Sequence, residues 1–543
     1  MRAHTDVQRG ACVAACAVAA AAGALLAGWS TSRYGVGVSP DSASYIGAAR
    51  SLARGGGLAF NGLPFAHWPP LYPMLLALFG RLRVDPIQAA RLCGVALAGV
   101  NAALAALLAF RLSGRSASAG AAAGLLIAAA PEITRIHAMA WSEPPFLALT
   151  LAGLCILTTH CVRGTEAQRG TDGSGVAGET EGAGARRSAV QLGMVVGLGA
   201  IVGAAALTRY AGAALIPPFA LCIWRFGAGT SRQRMAGLVL FAGVALLPLV
   251  CWLVYLQAGA HVPSDRPLAF HPPHGPAWLL LPAAVYMALA ASRRLRHAAD
   301  SALEKPSTSP HHPVAPSPHH ARQAKGTDRA ILALWLYAFL AVYFGFVLFS
   351  MTFVDAFIPF DGRNIATAIV CGMLALVRPL CGAFGRLSGV RAAGLTGKGL
   401  AAAALGLLVG RAAQGIQLAE RFHETGNGYS GRAWAHSRGL AWIAAAPPVA
   451  RILSNAPEVI AYRFGRRAVP FPAKFSTTSL ARNPRLDADV AAFREAMRGG
   501  AIAIYFRRDP RSYLLSPADL EGRCGLAPVL DLGDAVVYAP APQ

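Results

Sequence analysis

Residues 11–29 read ACVAACAVAAAAGALLAGW, an apolar run without a single charge. A helix that crosses a bilayer needs ~20 such residues, so this stretch is long enough to span. Uncharged runs of similar length recur at 92–110, 190–208, 235–256 and 330–353. Weaker ones lie at 116–131, 144–159, 210–224, 276–292, 364–377 and, rich in Gly and Ala, at 399–410. Together they predict about eleven transmembrane helices. The composition agrees: 55% of the 543 residues are hydrophobic, 14% are charged, and the mean hydropathy is +0.45. That leaves too little polar surface to cover several soluble cores, and the expected fold is an α-helical polytopic membrane protein.

A formal net charge of +23 would point to nucleic acid in a soluble chain. In a membrane protein the placement of Arg and Lys instead sets orientation, because cytoplasmic loops carry the excess. Alternate connections hold Arg111 and Arg115; Arg163, Arg169, Arg186 and Arg187; Arg225, Arg232 and Arg234; Arg293, Arg294, Arg296, Lys305, Arg322, Lys325 and Arg329; and Arg378, Arg386 and Arg391. The connections between them offer mainly Arg135, Arg209, Arg266 and Arg363. This alternation predicts a cytoplasmic amino terminus, a carboxyl-terminal region outside, and no nucleic-acid partner. The first loop departs from the pattern, with Arg33, Arg50, Arg54, Arg81, Arg83 and the nearby Arg91, but long loops obey the rule less strictly. Arg2 and Arg9 ahead of 11–29 also suit a cleaved signal peptide; the length of the run and the preserved alternation favour a retained anchor. Of ten Cys, only Cys524 falls in the soluble region, so no disulfide framework is expected.

The membrane domain is expected over residues 1–414, with a first external loop at 31–86. Two polar cytoplasmic loops, 162–188 and 293–329, are rich in Gly, Thr and Glu or in Pro, Ser and His and bury too little apolar surface to fold. His311, His312, His319 and His320 in the second read as solvated residues rather than metal ligands. From 415 to 543 the long apolar runs stop. Buried strands are predicted at 449–454 and 501–506, a helix at 487–498 with Gly499 and Gly500 as its stop, and a hairpin pairing 529–532 with 535–538. These make a small external α/β domain.

The first loop reads Gly37-Val38-Ser39-Pro40-Asp41-Ser42-Ala43-Ser44-Tyr45 and closes with His67-Trp68-Pro69-Pro70-Leu71-Tyr72-Pro73. Pro40 and Asp41 suit a helix start, and Tyr45, Ala48, Ala49 and Leu52 follow at helical spacing, so an amphipathic helix is expected in the membrane interface. Asp41 at its amino end is either a cap or a functional carboxylate. Further polar elements fall on the same predicted side: Trp141-Ser142-Glu143-Pro144, Leu207-Thr208-Arg209-Tyr210 and Asp361-Gly362-Arg363.

In order and shared side, this set over roughly residues 10–380 resembles the C-type glycosyltransferase superfamily, the enzymes that use polyprenyl-phosphate sugars. The pattern is closest to the aminoarabinose and galacturonic-acid transferases of lipid A, and more distant from the protein O-mannosyltransferases. The resemblance implies a catalytic acid in the first external loop, a role that falls on Asp41 alone because no second acid adjoins it. A divalent metal is therefore not implied, and no cofactor beyond the lipid-phosphate sugar. It also implies a bacterial-type cytoplasmic membrane, a lipid, glycan or protein acceptor, and the carboxyl-terminal domain on the periplasmic side.

Moving a sugar from a lipid phosphate to a hydroxyl needs a base, positive groups for the departing phosphate, and a dry site. Asp41 is the expected base. Direct attack needs one carboxylate and inverts the anomeric centre, whereas double displacement needs a second as nucleophile; inversion is expected. Glu143 is the second candidate acid, either capping the following span or facing Asp41 across a cavity. Arg209 and Arg363, at the outer ends of spans, suit phosphate, with snorkelling, and for Arg363 an ion pair to Asp361, as the alternatives. His67 either donates to the substrate or anchors the interface beside Trp68; Trp68 and Tyr72 read as interfacial belt residues. Tyr45 is a substrate contact or helix packing. A transporter or flippase of lipid-linked sugars would place ionisable residues near the midplane, where this chain has few. A polymerase or ligase would favour a late loop, and a non-catalytic scaffold remains the third class.

Overall fold

The computed structural model describes residues 2–542 except 174–180, 228–229, 259–285, 290–291, 293–317, 355–357, 359, 385–394, 449 and 478–479. Seven helices among the described residues are long and apolar enough to cross a membrane. An eighth span forms if the bent pair Ala117–Ala128 and Pro131–Ala138, at 60°, is counted as one. The protein is a multi-pass membrane protein.

Among the described residues, not every expected run forms a long apolar helix of its own. The run at 210–224 becomes a 3-10 turn, Tyr210–Leu215, followed by a short helix, Ile216–Phe226. Gly212 lies directly on the Ala205–Ala206 backbone, an approach any side chain would block, and Pro217 and Pro218 restart the helix. The run at 144–159 lies within the helix Glu143–Gly173. Most of 276–292 lies outside the described residues. Helical ends reach into the segments 162–188 and 293–329: Glu143–Gly173 runs in from one side, Glu181–Thr208 starts on the other, and Pro318–Phe349 begins before its apolar run; 174–180 and 293–317 lie outside the described residues. An established helix adds one backbone bond per further residue, so it outruns its apolar core.

We label α1 (Arg2–Ser30), α2 (Pro40–Ala53), α3 (Leu71–Arg81), α4 (Pro86–Leu112), α5 (Ala117–Ala128), α6 (Pro131–Ala138), α7 (Glu143–Gly173), α8 (Glu181–Thr208), α9 (Ile216–Phe226), α10 (Ser231–Ala258), α11 (Pro318–Phe349), α12 (Ala366–Ala383) and α13 (Leu395–Thr425). In lipid, helices associate by close packing of small residues. A methyl group at Gly23 of α1 would lie 2.7 Å from Ala98 O of α4, and one at Gly124 of α5 would lie 2.7 Å from Ala19 Cβ of α1. These contacts seat α1, α4 and α5 together.

Helix α13 continues through 415 to Thr425, so the soluble fold starts past the expected boundary. Strands β3 (Ile452–Ser454), β4 (Ala468–Pro470), β5 (Ile502–Phe506), β6 (Leu526–Asp531) and β7 (Ala535–Pro540) follow a small hairpin, β1 (Ala59–Phe60) and β2 (Leu63–Pro64), in the first loop. The five-stranded sheet has the order β4-β3-β5-β7-β6, with β3 parallel to β4 and β5, and β7 antiparallel to β5 and β6. Side chains alternate faces along each strand. Leu453, Ala503 and Tyr505 pack with Phe493 and Met497 of the helix Leu486–Arg498. Ile452, Ile504 and Phe506 share a core with Ile46, Ala49, Tyr72 and Leu76 of α2 and α3. The first loop and the carboxyl-terminal domain therefore fold as one hydrophobic unit over the helices.

Candidate active site

Helix α2 opens with Pro40 in its first turn, and Ser39 is its cap, accepting from Ser42 N–H at 3.3 Å. With the cap supplied by Ser39, the Asp41 side chain is turned to other partners. Arg363 Nη1 donates to Asp41 Oδ2 at 2.6 Å, and Arg363 Nε to Glu143 Oε1 at 2.5 Å. Arg209 Nη1 donates to that same Glu143 oxygen, and Arg209 Nη2 to Asn364 Oδ1 at 2.9 Å. Four charges from four separate segments thus alternate in sign: Asp41, Arg363, Glu143, Arg209.

Burial alone disfavours the Arg363 cation, but Glu143 and Asp41 outweigh it and hold its pKa above the ordinary range. The guanidinium lies 4.2 Å over the Trp141 ring, a cation–π contact strengthened by desolvation. Trp141 Nε1 in turn donates to Ser39 Oγ at 2.8 Å, so one indole touches both Arg363 and the cap of the helix that carries Asp41. Asp361 accepts from Asn364 N–H at 3.1 Å and caps its own turn; the ion pair expected for it with Arg363 is replaced by Arg363 with Asp41 and Glu143. At Gly362 the Glu132 side chain lies close over the turn, and a methyl group there would lie 2.5 Å from Glu132 Cγ.

Beside the cluster is a cavity of about 980 Å³, lined by Asp41, Tyr45, His67, Arg209, Arg363 and Asn364. One wall is apolar, from Leu253 and Leu256 of α10 to Phe346, Val347 and Phe349 of α11. Glu143 is not among the lining residues: its side chain is 3% exposed and lies behind the two arginines, so it does not face Asp41 across the cavity as one expectation had it. Its Oε2 is buried with no hydrogen-bond partner among the described residues. Tyr45 is buried, with its hydroxyl 3.5 Å from Ser142 Oγ and its ring edge-on to Trp68 and Tyr72 at 5.6 and 5.3 Å. Burial, then the Asp41 charge, pushes its hydroxyl pKa well up. Tyr72 is 3% exposed within that core rather than in an interfacial belt, because α3 folds back on α2. His67 stands edge-on to Trp68 at 4.5 Å and reaches the cavity wall.

Sequence reasoning passed over Asn364, Tyr343 and the Trp141 ring. Tyr343 donates to Asn364 O at 2.6 Å from inside α11; a hydroxyl within an apolar span was the available signal. Among the described residues no group of three or more His, Cys, Asp or Glu side chains is gathered as a metal site would need.

The chain matches no protein-family model and no curated protein. Among solved structures it is similar to ArnT from Cupriavidus metallidurans bound to undecaprenyl phosphate, with TM-score 0.52 and 16% identity over 100% of this chain and 99% of that one. It is similar to the same protein in the apo state, with TM-score 0.50 and 15% identity over 96% and 97%. A weaker likeness, TM-score 0.46 and 12% identity over 92% of this chain and 69% of the other, is to the archaeal oligosaccharyltransferase AglB from Archaeoglobus fulgidus. The chain shares its fold with these two ArnT structures.

Proposed function

We propose that this protein is a membrane glycosyltransferase that takes a sugar from a polyprenyl phosphate and passes it, with inversion, to a hydroxyl of a lipid, glycan or protein acceptor at the outer face of the membrane. The observation that supports it most is a single cavity with an acid and two guanidinium groups at one end and an apolar wall of α10 and α11 along one side. A ligand that fits both has an anionic head and a long hydrocarbon tail. The similar ArnT structure holds undecaprenyl phosphate, a ligand of this kind.

In this reading the prenyl chain lies along Leu253, Leu256 and Phe346, with its phosphate toward Arg209 and Arg363. Guanidinium groups offer fixed pairs of donors to phosphate oxygens, and here they stabilise the negative charge that grows as the sugar–oxygen bond breaks. Asp41 is the base. Arg363 engages its Oδ2, and among the described residues no hydrogen bond reaches Oδ1, which is left to accept the acceptor's hydroxyl proton. The hydroxyl oxygen attacks the anomeric carbon on the face opposite the phosphate, the phosphate leaves with the bonding pair, and the configuration inverts. Glu143 acts behind the chemistry by holding both arginines at one spacing.

Membranes containing wild type or Asp41→Asn, given radiolabelled polyprenyl-phosphate sugars, test this. Label transfer is expected to fall by about 10²- to 10⁴-fold in the variant, the usual worth of a general base. Transfer at the wild-type rate would remove Asp41 from the mechanism.

A further inference from the structure

The carboxyl-terminal domain lends Pro457, Glu458 and Pro470 to the cavity wall but none of the charges in the Asp41–Arg363–Glu143–Arg209 cluster. Its connection to that cluster runs through backbone. Residues 36–38 are held between two segments. On one side Gly37 N–H donates to Ala138 O at 2.8 Å and Ala140 N–H to Gly37 O at 2.9 Å. On the other, Tyr429 N–H donates to Val38 O at 2.7 Å and Ser430 Oγ to Val36 O at 2.8 Å. Gly428 permits the second approach: its φ is +59°, and a side-chain carbon there would run into Val38 O. Ser39, the cap of α2, follows at once, and Asp41 lies in the first turn.

A polar cluster, with Tyr429 buried and Arg511, Glu458 and Asp509 half-buried, fixes that second segment. Tyr429, 4% exposed, donates its hydroxyl to Asp509 Oδ2 at 2.9 Å. Arg511 Nη2 donates to the Tyr429 hydroxyl at 3.1 Å and to Asp509 Oδ2 at 3.0 Å, and Arg511 grips both Glu458 oxygens at 3.1 and 2.7 Å. Arg463 Nη2 donates to Tyr429 O at 2.7 Å. An apolar cluster of the same volume would be about as stable, but directional charge-assisted bonds admit one arrangement. Three of these bonds end on Tyr429, whose own N–H donates to Val38 O.

We infer that Tyr429 and Arg511 are positioning residues for Asp41: through residues 427–430 the carboxyl-terminal domain fixes the strand from which α2 starts, and so the place of the carboxylate. The inference rests on the proposed role of Asp41 for its effect on transfer, and on the backbone contacts alone for its effect on order.

The test uses full-length wild type, Tyr429→Phe and Gly428→Ala in lipid nanodiscs, with hydrogen exchange of residues 37–42 and label transfer from polyprenyl-phosphate sugars measured on the same samples. Tyr429→Phe keeps the ring packed and is expected to melt close to wild type. Its amides at 37–42 should exchange about fivefold faster, the worth of one such hydrogen bond, while residues 486–498 keep their protection. Transfer should fall on the order of tenfold in kcat with the donor KM unchanged; Gly428→Ala should move both readouts further in the same direction. Unchanged exchange at 37–42 in folded Tyr429→Phe overturns the inference. So does faster exchange spread equally over 486–498, which means general loosening, and so does faster local exchange with kcat unchanged. If wild type transfers no label from any polyprenyl-phosphate sugar, the proposed function fails, while the exchange measurement still decides whether the domain holds residues 37–42.

Discussion

Glu143 offers one oxygen to two guanidinium groups and is almost fully enclosed. A carboxylate so placed is costly to bury and strongly destabilising to remove, because the arginines it neutralises are left desolvated. Glu143→Gln is expected to lower stability by about 3 kcal/mol, read as a fall in melting temperature in detergent, and to reduce transfer because Arg209 and Arg363 lose their common reference point. A variant that melts and works as wild type would show that the arginines are held by Asn364 and Asp41 alone. The sequence named Asp41, Glu143, Arg209 and Arg363 as separate candidates. What it left open was their pairing, since residues more than 60 apart along the chain reveal nothing about which oxygen meets which nitrogen.

At the scale of elements, α2 is the device that aims Asp41, and its amino end is fixed twice by Ser39: the hydroxyl accepts from Ser42 N–H and from Trp141 Nε1. Removing it takes away a cap and orphans a partly buried indole donor. Ser39→Ala should cost about 1 kcal/mol for the cap and lower label transfer, whereas Ser39→Thr, which keeps the oxygen, should preserve both; equal loss in the two variants would mean that side-chain volume, not the hydrogen bonds, matters at this position. The helix itself was legible, because Pro40, Asp41 and the spacing of Tyr45, Ala48, Ala49 and Leu52 follow local rules. Whether Asp41 caps it or serves as a functional carboxylate was left open: Ser39 and Asp41 are both good cap residues, and the position of Trp141 favours the serine. Four of the five strands of the carboxyl-terminal sheet were likewise read within a few residues, since a short apolar run and a Gly-Asp turn are local signals; β4 (Ala468–Pro470) was not.

For the whole molecule, the charge alternation predicts that the carboxyl-terminal domain, and with it the cavity mouth, lies outside the cytoplasm. An alkaline phosphatase fused after Tyr538 should be active, as the enzyme folds only outside; a stable but inactive fusion would reverse the orientation. The sequence by itself determined that the chain crosses a membrane repeatedly, where its soluble region lies, and which polar residues break into otherwise apolar surroundings, because hydropathy and charge act on each segment separately. The tertiary structure alone decided the rest. It broke one apolar run, at 210–224, into a 3-10 turn and a short helix, since Gly212 and the prolines after it divide it. It placed Glu143 behind the arginines rather than opposite Asp41. It also joined the first loop, by way of Val38, Gly428 and Tyr429, to a domain nearly 400 residues downstream. Such contacts are made between surfaces that the chain brings together only after each element has formed, and no local pattern records them.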